Sequence, residues 1–341
     1  VKCLIWDLDN TLWSGTLSEG DDVVVTTETI DLIKELDRRG VLQSIASRNT
    51  HEDAYSKLSQ LNLAEYFVEP RINWGNKSSS VDEIQKALNI GIDSIGFVDD
   101  QEFERQEVAF QLPGVRCYDV AELPRLLGYD EFNQRFVTVE SGLRRQMYLQ
   151  DKAREEASKQ IVDPEAFART LELKVQVALA TLGDLERVEE LTLRTNQLNA
   201  SGYIYSFDEL AAFLNSPNHI LLTVEATDRF GSYGKVGAAL IETRADSWTV
   251  KLLLVSCRVM SRGVGGIFLR CACAEAARRG LQLNLEYRPT ERNRAVLITI
   301  RFAGFSEVAT LEDRGSLMRW GGLLPPAPKH VSVATPWDSI G

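Results

Sequence analysis

Val1-Lys2-Cys3-Leu4-Ile5-Trp6-Asp7-Leu8-Asp9-Asn10-Thr11-Leu12 begins with a largely apolar run that ends on a carboxylate. That is the pattern of a buried parallel strand delivering a polar side chain at its carboxyl end. Side chains alternate along an extended chain, so Asp7 and Asp9 share one side while Leu8 turns into packing. Two carboxylates at one sheet edge can divide the work of phosphate-ester cleavage. One attacks phosphorus and forms an aspartyl phosphate; the other protonates the leaving alkoxide and later activates water.

Working outward, residues 29–39 have helical spacing, 41–46 read as a strand and 52–61 as a helix. The segments 66–69, 80–88, 94–98 and 115–119 continue the alternation, which predicts a doubly wound parallel sheet. Later strand ends supply what a phosphoryl group requires. Ser47, in Ile45-Ala46-Ser47-Arg48-Asn49, offers a hydroxyl donor; Lys77, in Trp74-Gly75-Asn76-Lys77-Ser78, offers a cation; Asp99 and Asp100 complete an oxygen-ligand site for Mg²⁺. Singly, these are a strand-end turn, a solvated lysine and a helix cap. Together and in order they resemble the haloacid-dehalogenase superfamily, with Asp7 as nucleophile. The spacings leave room for a flap but not for a separate cap domain, which suits a phosphate carried on a macromolecule or a neighbouring domain acting as lid.

The 341 residues suffice for two cores, and a composition 44% apolar and 26% charged is that of a globular protein. A formal net charge of −11 opposes binding to nucleic acid. No apolar run is long enough to span a bilayer, so no membrane association is expected. Five cysteines form no even framework and no secretory segment precedes the first strand, so a cytoplasmic setting with reduced thiols is expected. Three histidines, none at ligand spacing, argue against zinc. Without an initiator Met and with a Pro-rich tail, the chain is expected to be one part of a longer, multidomain protein.

The order of elements changes after a helix over 140–159 and a break at Asp163-Pro164. The domains expected are a phosphoryl-transfer domain over 1–137, a helical linker over 138–165, a mixed α/β domain over 166–323 and an extended tail over 324–341. In the second domain, the stretch from Leu252 to Gly266 reads as a strand, a glycine-rich loop and a helix, whose N–H groups suit a phosphate. It resembles the acyl-CoA-binding turn of GNAT acyltransferases, and Glu291-Arg292-Asn293-Arg294-Ala295 with Ala303-Gly304-Phe305 resembles that fold's last helix and strand. The fold class expected is therefore α/β, a capless HAD-type doubly wound sheet followed by a GNAT-like domain. Cys257 stands just before the loop. It has two readings, an acyl-accepting thiol favoured by Arg258 and Arg262, or a small core residue. Cys3, on the first strand, reads as core.

The combination resembles the FkbH-like family of polyketide biosynthesis over nearly the whole chain. The residues that carry this include Val1-Lys2-Cys3, Asp7-Leu8-Asp9-Asn10-Thr11-Leu12-Trp13, Ile72-Asn73-Trp74-Gly75, Phe97-Val98-Asp99-Asp100-Gln101, Phe103-Glu104-Arg105, Arg194-Thr195-Asn196-Gln197-Leu198-Asn199, Asp228-Arg229-Phe230-Gly231 and Ser256-Cys257-Arg258-Val259-Met260. The resemblance implies a glyceryl transferase and phosphatase acting on 1,3-bisphosphoglycerate, with glyceryl delivered to the phosphopantetheine thiol of an acyl carrier protein, and a place as one domain of a larger polyketide synthase. It implies Asp7, Asp9 and Cys257 as catalytic, Thr11, Ser47, Arg48 and Lys77 as phosphate-binding, and Asp7, Asp9, Asp99 and Asp100 around Mg²⁺. Substrate or pantetheine contacts are implied for Arg194, Asn196, Gln197, Asn199, Asp228, Arg229, Arg258, Ser261, Arg262, Gly263, Gly265 and Asn293. Two other readings stand beside this one: a protein or sugar phosphatase with a non-catalytic second domain, and a docking scaffold for a carrier protein that performs no chemistry.

Overall fold

The computed structural model describes residues 1–133, 135–161, 163–195 and 197–338. These divide into two compact units, Val1–Tyr148 and Leu149–Gly341. Among the described residues, no helix is long and apolar enough to cross a membrane.

In the first unit, strands β1 (Cys3–Trp6), β2 (Leu42–Ser47), β3 (Arg71–Ile72), β4 (Ile95–Asp99) and β5 (Arg116–Asp119) alternate with helices α1 (Thr27–Arg38), α2 (His51–Gln60), α3 (Lys77–Leu88) and α4 (Glu102–Gln111). The strands are all parallel, in the order β3-β2-β1-β4-β5. Alternate side chains of β1 explain both covered faces. Leu4 and Trp6 join a core with Leu32, Ile33 and Leu58, while Cys3 and Ile5 join another with Val81, Ile84 and Val108. The order reverses beside β1, so the crevice at the carboxyl ends of β1 and β4 is where a doubly wound sheet places its ligand. The stretch between β1 and β2 holds a flap and α1 alone, as the spacing predicts.

Two departures concern local chemistry. The strand predicted over 66–69 is displaced: Ala64–Tyr66 is a 3₁₀ turn and β3 is only Arg71–Ile72. The helix predicted from residue 80 starts at Lys77, where the polar run Lys77-Ser78-Ser79-Ser80 forms its first turn. Helix α5 (Val139–Gly142) is followed by α6 (Arg144–Lys159), within which the division between the units falls.

The second unit continues with α7 (Pro164–Leu171), β6 (Leu173–Leu179), α8 (Leu185–Arg194), α9 (Phe207–Leu214), β7 (His219–Asp228), β8 (Gly231–Thr243), β9 (Ser247–Val255), α10 (Val264–Arg279), β10 (Gln282–Tyr287), α11 (Arg294–Phe302), β11 (Phe305–Thr310), β12 (Ser316–Trp320) and β13 (Val331–Ala334). Its mixed sheet runs β11-β12-β10-β9-β8-β7-β6-β13. Within the expected tail, Val331 and Val333 alternate with polar or small residues, and the strand they form pairs parallel with β6. Strands β9 and β10 are also parallel, but they pair only as far as Val250 and Leu285. Beyond that point Ala200 N–H donates to Leu253 O and Val255 N–H to Leu198 O, while Arg288 N–H donates to Ala200 O. The chain's own segment 198–200 thus occupies the divergence of the two strands.

Candidate active site

Asp7 leaves the end of β1, its N–H tied to Val98 O of β4 at 3.0 Å, and is 4% exposed. Lys77, in the first turn of α3, places Nζ 3.0 Å from Asp7 Oδ1 and also donates to Asp99 Oδ2 at the end of β4. Burial pushes the Asp7 carboxyl up to about 6, against the pull of Lys77 and with Asp99 adding to the rise. For Lys77 burial acts downward, but the two carboxylates outweigh it and hold the ammonium protonated. Carboxylate oxygens of Asp7, Asp99 and Asp100 lie within 4.8 Å of one another. One ammonium among three carboxylates leaves this corner short of positive charge. A hard oxygen set of this kind fits Mg²⁺, which when bound there would neutralise the excess and polarise a phosphoryl oxygen.

Asp9 has different partners. Its Oδ1 accepts Trp13 Nε1–H at 2.8 Å and the Leu17 N–H at 3.1 Å, and its Oδ2 accepts Asn49 Nδ2–H at 2.9 Å. The side chain expected as a fourth metal ligand is therefore engaged by the flap and the loop after β2. Thr11 is engaged too: its Oγ1 accepts the Asp100 N–H at 3.0 Å, joining the loops after β1 and β4. Ser47 is buried at the end of β2, and its side chain pulls the Asp7 carboxyl downward against the effect of burial. Arg48 pairs with Glu104 of α4 at 2.8 Å and donates to Gly75 O at 3.2 Å, tying the loop after β2 to α4 and to the loop before α3. Sequence reasoning assigned no role to Asn49, Trp13 or Glu104. Asn49 stands two residues beyond Ser47, in the bend that follows β2, where strand alternation gives no signal.

In the second unit, Cys257 is exposed at the start of the 3₁₀ turn Cys257–Arg262 that follows β9. Exposure removes the core reading of this residue; Cys3, fully buried, keeps it, and burial pushes its thiol far up. Gly263 closes the turn at φ 69°, a left-handed conformation that favours glycine, and leads into α10, whose first turn contains Gly265. Arg258 donates to Tyr233 O at 3.2 Å, and the Arg262 guanidinium lies 5.4 Å from the Phe167 ring centre. A cavity of about 520 Å³ adjoins this loop, lined by Ser261, Arg262 and Gly263 together with Phe167, Leu171 and Ile267.

Several residues implied for substrate instead serve the framework. Asp228 accepts both Arg154 Nε (2.7 Å) and Nη2 (2.9 Å) and the Tyr233 hydroxyl (2.8 Å), with Arg154 lying 3.9 Å over the Tyr233 ring. Asn293, fully buried, donates to Asn199 O and Arg288 O and accepts the Tyr287 hydroxyl. Asn199 accepts the N–H groups of Ser201 and Gly202. Arg194 pairs with Glu190, Arg229 is exposed and stacks on Phe230, and Gln197 is exposed. Asn196 lies outside the described residues.

No protein-family model matches the chain, and no curated protein does. Among solved structures, it is similar to the N-terminal part of protein BF1531 from Bacteroides fragilis, which contains a phosphatase domain and was crystallised with Mg. There it has 29% identity over 39% of this chain and 40% of that one, less than two thirds of its length, at a TM-score of 0.35. It is also similar to the ribosomal-protein-S18-alanine N-acetyltransferase from Escherichia coli, at 16% identity over 46% of this chain and 97% of that one, TM-score 0.35. A third similarity is to the PaiA N-acetyltransferase from Thermoplasma acidophilum in complex with coenzyme A, at 14% identity over 43% and 98% of the two chains, TM-score 0.35.

Proposed function

We propose that this chain is a glyceryl transferase and phosphatase that takes the phosphoglyceryl group of 1,3-bisphosphoglycerate onto Cys257, removes the remaining phosphate at Asp7, and passes glyceryl to the phosphopantetheine thiol of an acyl carrier protein. The observation that carries the phosphatase half is the buried contact of Lys77 with both Asp7 and Asp99. The exposed thiol of Cys257 supports the transfer half.

The steps balance. The Cys257 thiolate adds to the carbonyl of the acyl phosphate and expels inorganic phosphate, leaving a thioester that keeps the acyl group activated. Asp7 then attacks the remaining phosphate monoester while Asp9 gives its proton to the departing alkoxide. Asp9 next takes a proton from the water that splits the aspartyl phosphate, which regenerates Asp7 and releases a second phosphate. Lys77 and the Ser47 hydroxyl face the phosphoryl group as charge shifts onto it, and Asp7, Asp99 and Asp100 would hold Mg²⁺ beside it. The carrier thiol finally displaces Cys257 from glyceryl. Mixing the protein with Mg²⁺, 1,3-bisphosphoglycerate carrying a labelled glyceryl carbon and a holo carrier protein tests this: label on the carrier thiol is expected. Phosphate release without labelled carrier would support a phosphatase with a non-catalytic second unit.

A further inference from the structure

The flap and the loop after β2 converge on Asp9 in a way that the paired-carboxylate motif does not require. Trp13 and Asn49 are each 2% exposed, so neither bond to Asp9 is a chance surface contact. They are also asymmetric. Oδ1 receives two N–H groups, from Trp13 and Leu17, whereas Oδ2 receives one, from Asn49. A carboxylate oxygen has two lone-pair sites. Oδ1 is therefore full, and one site on Oδ2 is left for a proton.

We infer that Trp13 and Asn49 are positioning residues that fix the Asp9 carboxylate so that Oδ2 is the oxygen carrying the transferred proton. The inference rests on the reading of Asp9 as acid and base. With the proton on Oδ2, the O–H is directed at the leaving oxygen while Asn49 keeps its bond to the second site of the same atom. When the P–O bond to the alkoxide breaks, that proton moves from Oδ2 to the alkoxide and its electron pair stays on Oδ2. The reverse transfer then takes a proton from the attacking water. Asn49 also links this atom to the end of β2, because its Nδ2 is 3.5 Å from the Ser47 hydroxyl. Trp13 fixes the far oxygen from the flap, whose Ser14 and Val24 exchange backbone hydrogen bonds. One anchor on each side sets the rotation of the carboxyl plane.

The test is leaving-group dependence, which a purely structural defect would not produce. An alkyl phosphate such as glycerol 1-phosphate leaves as a basic alkoxide and requires the proton, whereas p-nitrophenyl phosphate leaves as a stable phenolate and does not. In Asn49→Ala and Trp13→Phe, the ratio of kcat/KM for glycerol 1-phosphate to kcat/KM for p-nitrophenyl phosphate should fall by about 10-fold or more, within the range by which acid catalysis accelerates such steps. Asp9→Asn supplies the reference and should lower the same ratio at least as far. If Asp9→Asn lowers the ratio and neither other variant does, the positioning role is overturned while the acid–base reading stands. If Asp9→Asn leaves the ratio unchanged, both are overturned. Trp13→Phe keeps the ring in place, so the test survives if Asn49→Ala does not fold.

Discussion

Asp7 and Cys257 each follow the carboxyl end of a strand, yet their surroundings are opposite. Asp7 is buried, gripped by Lys77 and faced by Asp99, while Cys257 is exposed on a short turn. Phosphoryl transfer demands charges fixed around one small group, because electrostatic stabilisation of the transition state works only in a preorganised site. A thiol that exchanges an acyl group with a long flexible arm has the other requirement, which is access. The same contrast appears in the ion pairs. Burial drives the Asp7 carboxyl up despite Lys77; burial also acts upward on Asp228, but the hydrogen bonds from Arg154, Tyr233 and the Phe230 N–H outweigh it and hold that carboxyl below the ordinary range. At Asp7 three carboxylates gather around one ammonium, whereas Asp228 is matched by the Arg154 guanidinium.

The largest expected effect breaks one side of this comparison alone. Asp7→Asn should abolish phosphate release from a monoester such as glycerol 1-phosphate, with circular dichroism unchanged, because the swap is nearly isosteric. EDTA should stop the same activity reversibly. Phosphate release from that monoester by a folded Asp7→Asn protein would remove Asp7 as nucleophile.

Next in size is the second unit's buried pair. Arg154→Met leaves Asp228 buried with the tyrosine hydroxyl and one backbone N–H but no cation, a change that costs about 3–5 kcal/mol. Urea unfolding should show it, and a loss under about 1 kcal/mol would mean that the pair is solvated.

The pH dependence sharpens the contrast because its sign differs between the units. Asp228 has a depressed folded value, so its contribution is present above its unfolded value and is lost as pH falls through the folded one. Asp7 has a raised value, so its contribution is present below its unfolded value and is lost as pH rises through about 6. In metal-free protein, hydrogen exchange should therefore show β1 opening less readily near pH 5 than near pH 7, with Asp7→Asn flattening that trend. Acidification below pH 4 should loosen peptides around Asp228. Matching trends at the two sites would contradict the electrostatic contrast.

The smallest effect concerns the other thiol on a functional strand. Cys3→Ala should cost about 1 kcal/mol through lost packing in the α3–α4 core and leave acyl transfer intact.

Much of the first unit was legible in the sequence, because Asp7, Ser47 and Asp99 sit at the ends of β1, β2 and β4 and the strands come in order. Lys77 was identified as the cation, but its helix was expected three residues later, since a run of one lysine and three serines gives no apolar period. The Asp9–Asn49 bond joins residues 40 apart and has no local signature, because Asn49 lies in the bend after β2. The second unit was less transparent for a physical reason. Asn199, Asn293 and Asp228 are polar residues in motif-like clusters, which reads as binding, yet burial commits them to internal hydrogen bonds. Polarity in the sequence does not distinguish a ligand contact from a satisfied buried group. The β13 strand was hidden by the Pro-rich approach to it, although Val331 and Val333 have the strand period.

Intact mass spectrometry of Asp7→Asn mixed with 1,3-bisphosphoglycerate tests most directly the claim that the two sites act in sequence on one acyl group. With the phosphatase step blocked, the account predicts that a phosphoglyceryl adduct accumulates, maps by peptide analysis to Cys257, and disappears in the double variant with Cys257→Ala. No adduct on Asp7→Asn, or one that persists without Cys257 and maps to Cys3 or elsewhere, would contradict it.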